Sequence, residues 1–255
     1  MLKNLDESFD ICVGVILANR LSTTPVWLNL NIPTVCRSTV LTRLSNLLEV
    51  ISVDTLTSAT LISGKKYSNR DTSLLAKLDN RTLVIRDFTS ILQKRRSHRA
   101  EILSILRCAY SGEISKSFAN GIRRSYKIRF GLITSSISKE VDSFFSERFL
   151  QYTIPKKFGH LVKYIGIKNT LISTLLTRRL PIFRPGTLVL FQSLVKKDIS
   201  AYHYQETNNR RLNQLTSLAL GIALYRREKY VSNHTLDTVT SVARCTWEGD
   251  KHEMY

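Results

Sequence analysis

The chain has 255 residues, 43% hydrophobic and 23% charged, which excludes a disordered or fibrous protein and leaves ample length for a buried core. Its 38 Lys+Arg against 20 Asp+Glu give a formal net charge of +18, a balance that selects polyanionic partners because neutralising phosphates releases condensed counterions. The longest strongly apolar run, Ile11–Ala18, is too short for a bilayer span of about 20 residues, and the acidic start MLKNLDESFD is unlike a secretory leader. A cytoplasmic protein is expected, inside a host cell if the source is viral, with no membrane partner. Cys12, Cys36, Cys108 and Cys245 lack metal-ligand spacing and read as reduced thiols.

In chain order, Asp10–Leu21 reads as a helix and Val26–Leu30, after Pro25, as a strand. Asn31–Ser38 reads as a loop, and Thr39–Val50 as a helix with Val40, Leu41, Leu44, Leu47 and Leu48 on one face. Val50–Val53 is extended and leads into the capping-prone Asp54-Thr55-Leu56-Thr57; Leu74–Leu78 is a short helix and Asp79-Asn80 a turn. Thr82–Ile85 is a buried strand ending in Arg86-Asp87-Phe88, and Arg99–Tyr110 a helix with Ile102, Leu103, Ile105 and Leu106 inward. Lys127–Ile133 and Phe149–Ile154 are further strands. Strands alternating with helices imply a mainly parallel sheet covered on both faces. Beyond Pro155 the pattern is helical: Leu161–Leu176, a break at Pro181–Gly186, then Arg210–Tyr225 and Ser232–Val242. Two units follow, an α/β core over 1–156 and a helical unit over 157–255.

A phosphate-binding loop of the form GxxxxGK[ST] wraps phosphates in glycine-rich backbone, reaches them with Lys and holds magnesium with the hydroxyl. Between the first strand and the following helix stands Asn31-Ile32-Pro33-Thr34-Val35-Cys36-Arg37-Ser38. Only the final hydroxyl survives unchanged, and Arg37 keeps the charge but not the compact shape of Lys.

Several runs carry a specific resemblance: Pro25-Val26-Trp27-Leu28, Leu56–Gly64, Leu83–Leu92, Ile102–Arg107 with Tyr110-Ser111-Gly112-Glu113, Gly131-Leu132-Ile133-Thr134 and Ser146–Leu150. Together they resemble AAA+-type P-loop ATPases encoded by phages and integrated elements. Arg210–Ala243 is similar to the helical lid of AAA+ proteins related to the replicative helicases. The resemblance implies a P-loop NTPase-like three-layer α/β domain followed by a helical lid. It also implies ATP with Mg2+ as cofactors, DNA as partner, and assembly with copies of itself or a partner ATPase.

Residue by residue, it places Ser38 and Asp87 at magnesium, Arg37, Ser38 and Thr39 at the phosphates, and Thr134 or Ser135 as the polar sensor. Arg148 becomes an arginine finger or sensor, and Arg210 or Arg211 the lid arginine. The missing glycines, and Phe88-Thr89 where a water-activating glutamate belongs, leave three alternatives: weak binding, binding without turnover, or none. Simpler readings stand beside these. Asp87 caps a helix, Ser38 caps the helix from Thr39, Arg37 is a solvated helix-start residue, and Arg148 pairs with Glu147. For DNA, the basic runs are Lys94-Arg95-Arg96-Ser97-His98-Arg99 and Arg123-Arg124-Ser125-Tyr126-Lys127. In the second run Tyr126 either stacks on a base or begins a buried strand. Arg178-Arg179 and Arg226-Arg227 add charge to the helical part.

Overall fold

The computed structural model describes residues 3–21, 24–31, 34–65, 71–136, 147–153, 175, 177, 179–191, 193 and 205–251. Five strands form one parallel sheet: β1 (Trp27–Asn31), β2 (Val50–Val53), β3 (Thr82–Ile85), β6 (Gly131–Ser135) and β7 (Phe149–Thr153), in the order β2-β3-β6-β1-β7. The register aligns Ile85, Thr134, Asn29 and Gln151 in one row across four neighbouring strands. β3 and β6 are buried along their whole length, β1 over all but its last residue, as expected of strands covered on both faces.

Alternation divides the sheet's side chains between two cores. Leu28, Leu30, Val84, Ile133 and Leu150 face one core, built with α1 (Lys3–Leu21), α2 (Thr34–Ser45) and the C-terminal helices α6 (Gln205–Tyr225) and α7 (Asn233–Lys251). Trp27, Leu83, Ile85, Leu132 and Phe149 face the other, with α3 (Ser58–Leu61), α4 (Phe88–Leu92) and α5 (Arg96–Tyr110). The result is a helix–sheet–helix sandwich of the α/β class. The boundary expected near residue 156 lies outside the described residues, as does nearly all of the expected helix Leu161–Leu176. The helices described beyond it, α6 and α7, share the core of α1 and the sheet.

α1 is apolar all round from Ile11 to Ala18 because it lies between sheet and α6, and every side chain from Ile11 to Ala18 is buried. Its approach to α6 is backbone to backbone: a Cβ on Gly221 would overlap the carbonyl oxygen of Gly14. Buried Asn19 ties α1 to the start of β1, since its Nδ2 donates to the carbonyls of Val15 (2.8 Å) and Val26 (3.1 Å) while its Oδ1 accepts from Val26 N (2.8 Å). At the other edge, Gln151 N of β7 donates to Thr246 Oγ1 of α7 (2.9 Å), so that α7 shields a sheet edge.

The shorter elements follow local rules. Thr57 caps α3 in a reciprocal box with Thr60, as the capping-prone stretch suggests. Asp87 caps α4, its carboxylate accepting from Ser90 N. α5 turns Ile102, Leu103, Ile105, Leu106 and Ala109 inward. The expected strand Lys127–Ile133 is two elements: a hairpin of β4 (Glu113–Ser117) and β5 (Arg123–Lys127), then β6. Among the described residues no helix is long and apolar enough to cross a membrane.

Candidate functional site

In an open parallel sheet, ligands sit outside the carboxyl ends of the strands where neighbouring connections leave on opposite faces. Here the chain leaves β1 through α2 on the α1 face, and leaves β3 through α4 on the opposite face. The crevice therefore lies at the ends of β3, β6 and β1, and the expected residues Asp87, Thr134 and the start of α2 all reach it.

The first turn of α2 corrects the expected loop. β1 ends at Asn31 and α2 begins at Thr34, so Cys36, Arg37 and Ser38 belong to the helix backbone instead of a loop ahead of it. With no glycine to hold a left-handed turn, the chain enters the helix directly after Pro33, a residue suited to helix starts. Two residues connect strand and helix. A phosphate cradle of the expected kind needs a glycine-rich run of amides curled around the anion ahead of the helix, whereas the sequence there has no glycine and the backbone is helical from Thr34 onward. The residues present do not fit an ATP–Mg2+ cradle of the expected kind. The side chains of Arg37, Ser38 and Thr39 lie outside the described residues.

Asp87 sits at the crevice mouth in its capping role, and Ser90 Oγ donates back to its carbonyl (2.8 Å). Beside it Arg86 Nη2 donates to Asp54 Oδ2 (2.8 Å), joining the ends of β3 and β2. Thr134 is fully buried, and its hydroxyl donates to Asn29 Oδ1 (2.9 Å), so that proton is committed inside the protein. Ser135 Oγ donates to the carbonyl of Arg86 (2.9 Å).

The polar group that sequence reasoning missed is Asn29. Its Nδ2 donates to Gln151 Oε1 (2.9 Å) and Ser136 Oγ (3.1 Å), linking β6, β1 and β7 just below the crevice. Two asparagines alternating with leucine in Trp27-Leu28-Asn29-Leu30-Asn31 were the available signal, because a buried amide in an apolar strand needs partners.

Arg148, Arg210 and Arg211 do not join this crevice. Arg148 immediately precedes β7, Arg210 on α6 lies over the Tyr110 ring, whose hydroxyl donates to the carbonyl of Pro25, and Arg211 follows it on α6, buried. They are at the amino edge, a strand length of roughly 13 Å from the carboxyl edge.

The basic runs split by role. Arg95, Arg96 and His98 are exposed where α5 begins and Lys94 is half-buried there, whereas Arg99 Nη1 donates to the carbonyl of Leu92 (2.8 Å) and closes α4. On the hairpin, Arg123 and Lys127 are exposed, while Arg124 donates to the carbonyls of Ser63 (3.4 Å) and Lys65 (3.3 Å). Tyr126 is buried, not a stacking platform: its hydroxyl donates to Asp71 Oδ2 (2.6 Å) and its oxygen pairs with the Ser73 hydroxyl (2.8 Å). Among the described residues no group of three His, Cys, Asp or Glu side chains is placed to hold a metal ion.

Asp71 yields a pH prediction. Burial opposes its ionisation, but hydrogen bonds from Ser73 and Tyr126 and the charge of Arg124 outweigh it and hold the carboxyl below its ordinary 3.8. A depressed carboxyl contributes stability that is complete above the unfolded value and lost as pH falls through the folded one. Thermal melts taken from about pH 6 down to about pH 3 should fall more steeply for the parent chain than for Asp71→Asn. Parallel curves would refute the contribution.

Comparison with known protein families finds no match for this chain, and comparison with curated proteins finds none.

Proposed function

We propose that this chain is an AAA+-like domain that acts on DNA in the replication or maintenance of a phage or mobile element, and that nucleotide turnover has been lost. The sheet order supports the first part. β1, whose end leads into the would-be phosphate helix, lies beside β6 with its polar end, and β3 with Asp87 lies next to β6. The observation that supports the second part is the start of α2 at Thr34, in a stretch without the glycines of a phosphate loop. Asp87, committed to the cap of α4, and Thr134, committed to Asn29, are spent on structure. The charge of +18 and the exposed Arg95, Arg96, Arg123 and Lys127 support the nucleic-acid partner, and the AAA+ likeness supports assembly with copies of the chain or a partner ATPase.

A fluorescent ATP analogue titrated into the purified chain, with and without magnesium, tests the loss. No saturable binding is expected up to about 1 mM, equivalent to about 4 kcal/mol, and Asp87→Asn should leave DNA affinity within about twofold, 0.4 kcal/mol. Saturable, magnesium-dependent binding, followed by DNA-stimulated turnover that Asp87→Asn abolishes, would instead make the chain a working ATPase. DNA affinity should fall steeply as salt rises; a flat response would remove DNA from the proposal.

A further inference from the structure

The carboxyl end of α6 carries a groove that neither the crevice nor the DNA reading uses. The chain leaves α6 through a tight turn, in which Arg227 N donates to the Leu224 carbonyl (3.1 Å) and Glu228 N to the Ala223 carbonyl (2.9 Å). The residue at such a turn sits in the left-handed region and is usually glycine; here it is Arg227, at φ 60°. A second segment docks alongside, Ile182 N donating to the Lys229 carbonyl (3.3 Å) and Val231 N to the Ile182 carbonyl (3.0 Å). Between them lies a groove of about 390 Å³, with Leu180, Ile182 and Leu224 as its apolar part and Arg179, Arg227 and Lys229 as its cations.

Leu180 and Ile182 are 49% and 50% exposed, and among the described residues four of the five exposed large apolar side chains fall between Leu180 and Leu190. Exposed apolar surface with a polar rim marks a place that meets another molecule. The fold does not account for the cations. The negative end of the α6 dipole favours one positive charge, and Arg226, paired with Asp10 Oδ2 (2.7 Å), supplies it. The guanidinium groups of Arg179 and Arg227 have no ion pair or hydrogen bond among the described residues. The one acid of the groove, Glu228, accepts from Ser232 N (3.0 Å), Ser232 Oγ (2.7 Å) and Thr235 Oγ1 (3.0 Å), so its charge serves the start of α7. Arginine where glycine would be unstrained costs stability, and its side chain lines the groove instead of holding the turn.

The occupant has to bring apolar side chains and negative charge together. The groove is far larger than the roughly 30 Å³ of one water, so it receives side chains and not a lone ion. A bilayer surface is flat and does not enter a concave groove. A nucleic-acid strand stacks its bases on an open aromatic face, but the Arg184 guanidinium carbon (5.5 Å) and Lys229 Nζ (5.4 Å) already lie over the Tyr230 ring. A second copy of the chain is mismatched in charge, at +18 with no run of acidic residues longer than Asp6-Glu7. We propose that this groove docks an acidic segment of another protein, its apolar side chains on Leu180, Ile182 and Leu224 and its carboxylates on Arg179, Arg227 and Lys229. The site is separate from the cations assigned to DNA and does not rest on that reading.

The test is anisotropy of a labelled peptide that repeats Asp-Leu-Glu-Phe, titrated with the full chain beside a labelled DNA oligonucleotide. The peptide should bind saturably and more weakly as salt rises. Its counterpart with serine in place of leucine and phenylalanine should bind about tenfold more weakly or not at all. Arg179→Gln with Lys229→Gln should weaken the peptide about tenfold and leave DNA affinity within about twofold; Arg95→Gln with Arg123→Gln should do the reverse. Arg227→Gly should raise the melting temperature by about 2–4 °C while weakening the peptide, a pairing that a residue kept for stability would not give. No saturable peptide binding up to about 1 mM overturns the site. Equal binding of the serine peptide overturns it too, by leaving charge alone as the cause. Equal losses of peptide and DNA affinity in the Arg179 and Lys229 pair would give the groove to nucleic acid instead. Peptide binding as expected without oligonucleotide binding overturns the DNA reading alone.

Discussion

Trp27→Ala is expected to lower stability by about 3–5 kcal/mol, the range for emptying a buried aromatic site. Trp27 is fully buried in the second core, with ring centres 4.8 Å from Tyr110, 5.5 Å from Phe130 and 5.4 Å from Phe149. Three rings from α5, the corner ahead of β6 and β7 cannot collapse into the space without moving those segments, so a cavity remains. The indole also donates from Nε1 to the carbonyl of Phe130 (3.1 Å), at the corner where the chain passes from the hairpin into β6. Trp27→Phe, which retains most of the apolar contact and deletes only that bond and one ring, should lose about 1–2 kcal/mol. Urea unfolding followed by circular dichroism measures both. A loss under about 1 kcal/mol for Trp27→Ala would match a surface substitution and contradict the packing.

Gly221→Ala is expected to destabilise by about 1–3 kcal/mol, opposite in sign to the usual outcome. In a helix interior, alanine is ordinarily preferred over glycine by about 1 kcal/mol. At Gly221 the added methyl would meet the carbonyl oxygen of Gly14 and approach the amide nitrogen of Ala18 at 3.0 Å. These are backbone atoms of α1 that have no rotamer to change, so the helices must separate along a shared, fully buried seam. Gly14→Ala meets the Ile222 side chain and, at 3.2 Å, the Ile222 backbone nitrogen; since the side chain can turn, the loss should be smaller. Melting temperatures of the two variants test the order. A stabilised Gly221→Ala would mean that the seam is looser than the structure has it.

The β2 and β3 bounds follow from the sequence alone, because Val50–Val53 and Thr82–Ile85 are short apolar runs with polar residues on both sides. β1 differs by one residue. The hairpin was not legible: Glu113–Ser117 has a single apolar residue, Ile114, and its pairing depends on Tyr126 twelve residues further on. Conversely, apolar residues alternate without interruption from Tyr126 to Leu132, so nothing local marks the corner at 128–130; it is set at long range by Asp79 accepting from Arg129 N (3.1 Å). The start of α2 was misplaced because Asn31-Ile32-Pro33 punctuates the chain and Thr34, Val35 and Cys36 are weak helix formers, so the first turn reads as loop although it is helical. Of the candidate site, Asp87 was legible as a strand-end acid. That Arg148 and Arg210 meet at the amino edge was not, since 62 residues of sequence separate them and only the packing of α6 on α1 brings them together.

That packing also has a consequence for how the chain is made. The ribosome makes α1 well before the helix that covers it, since α6 follows some 200 residues later. At about 5–20 residues per second, the apolar stretch around Ile11–Ala18 waits roughly 10–40 seconds for its cover. During that interval the nascent chain displays a sticky segment, a natural target for a holding chaperone. The core on the α1 side closes only when translation reaches α6, so this half of the fold is completed late and not stepwise along the chain.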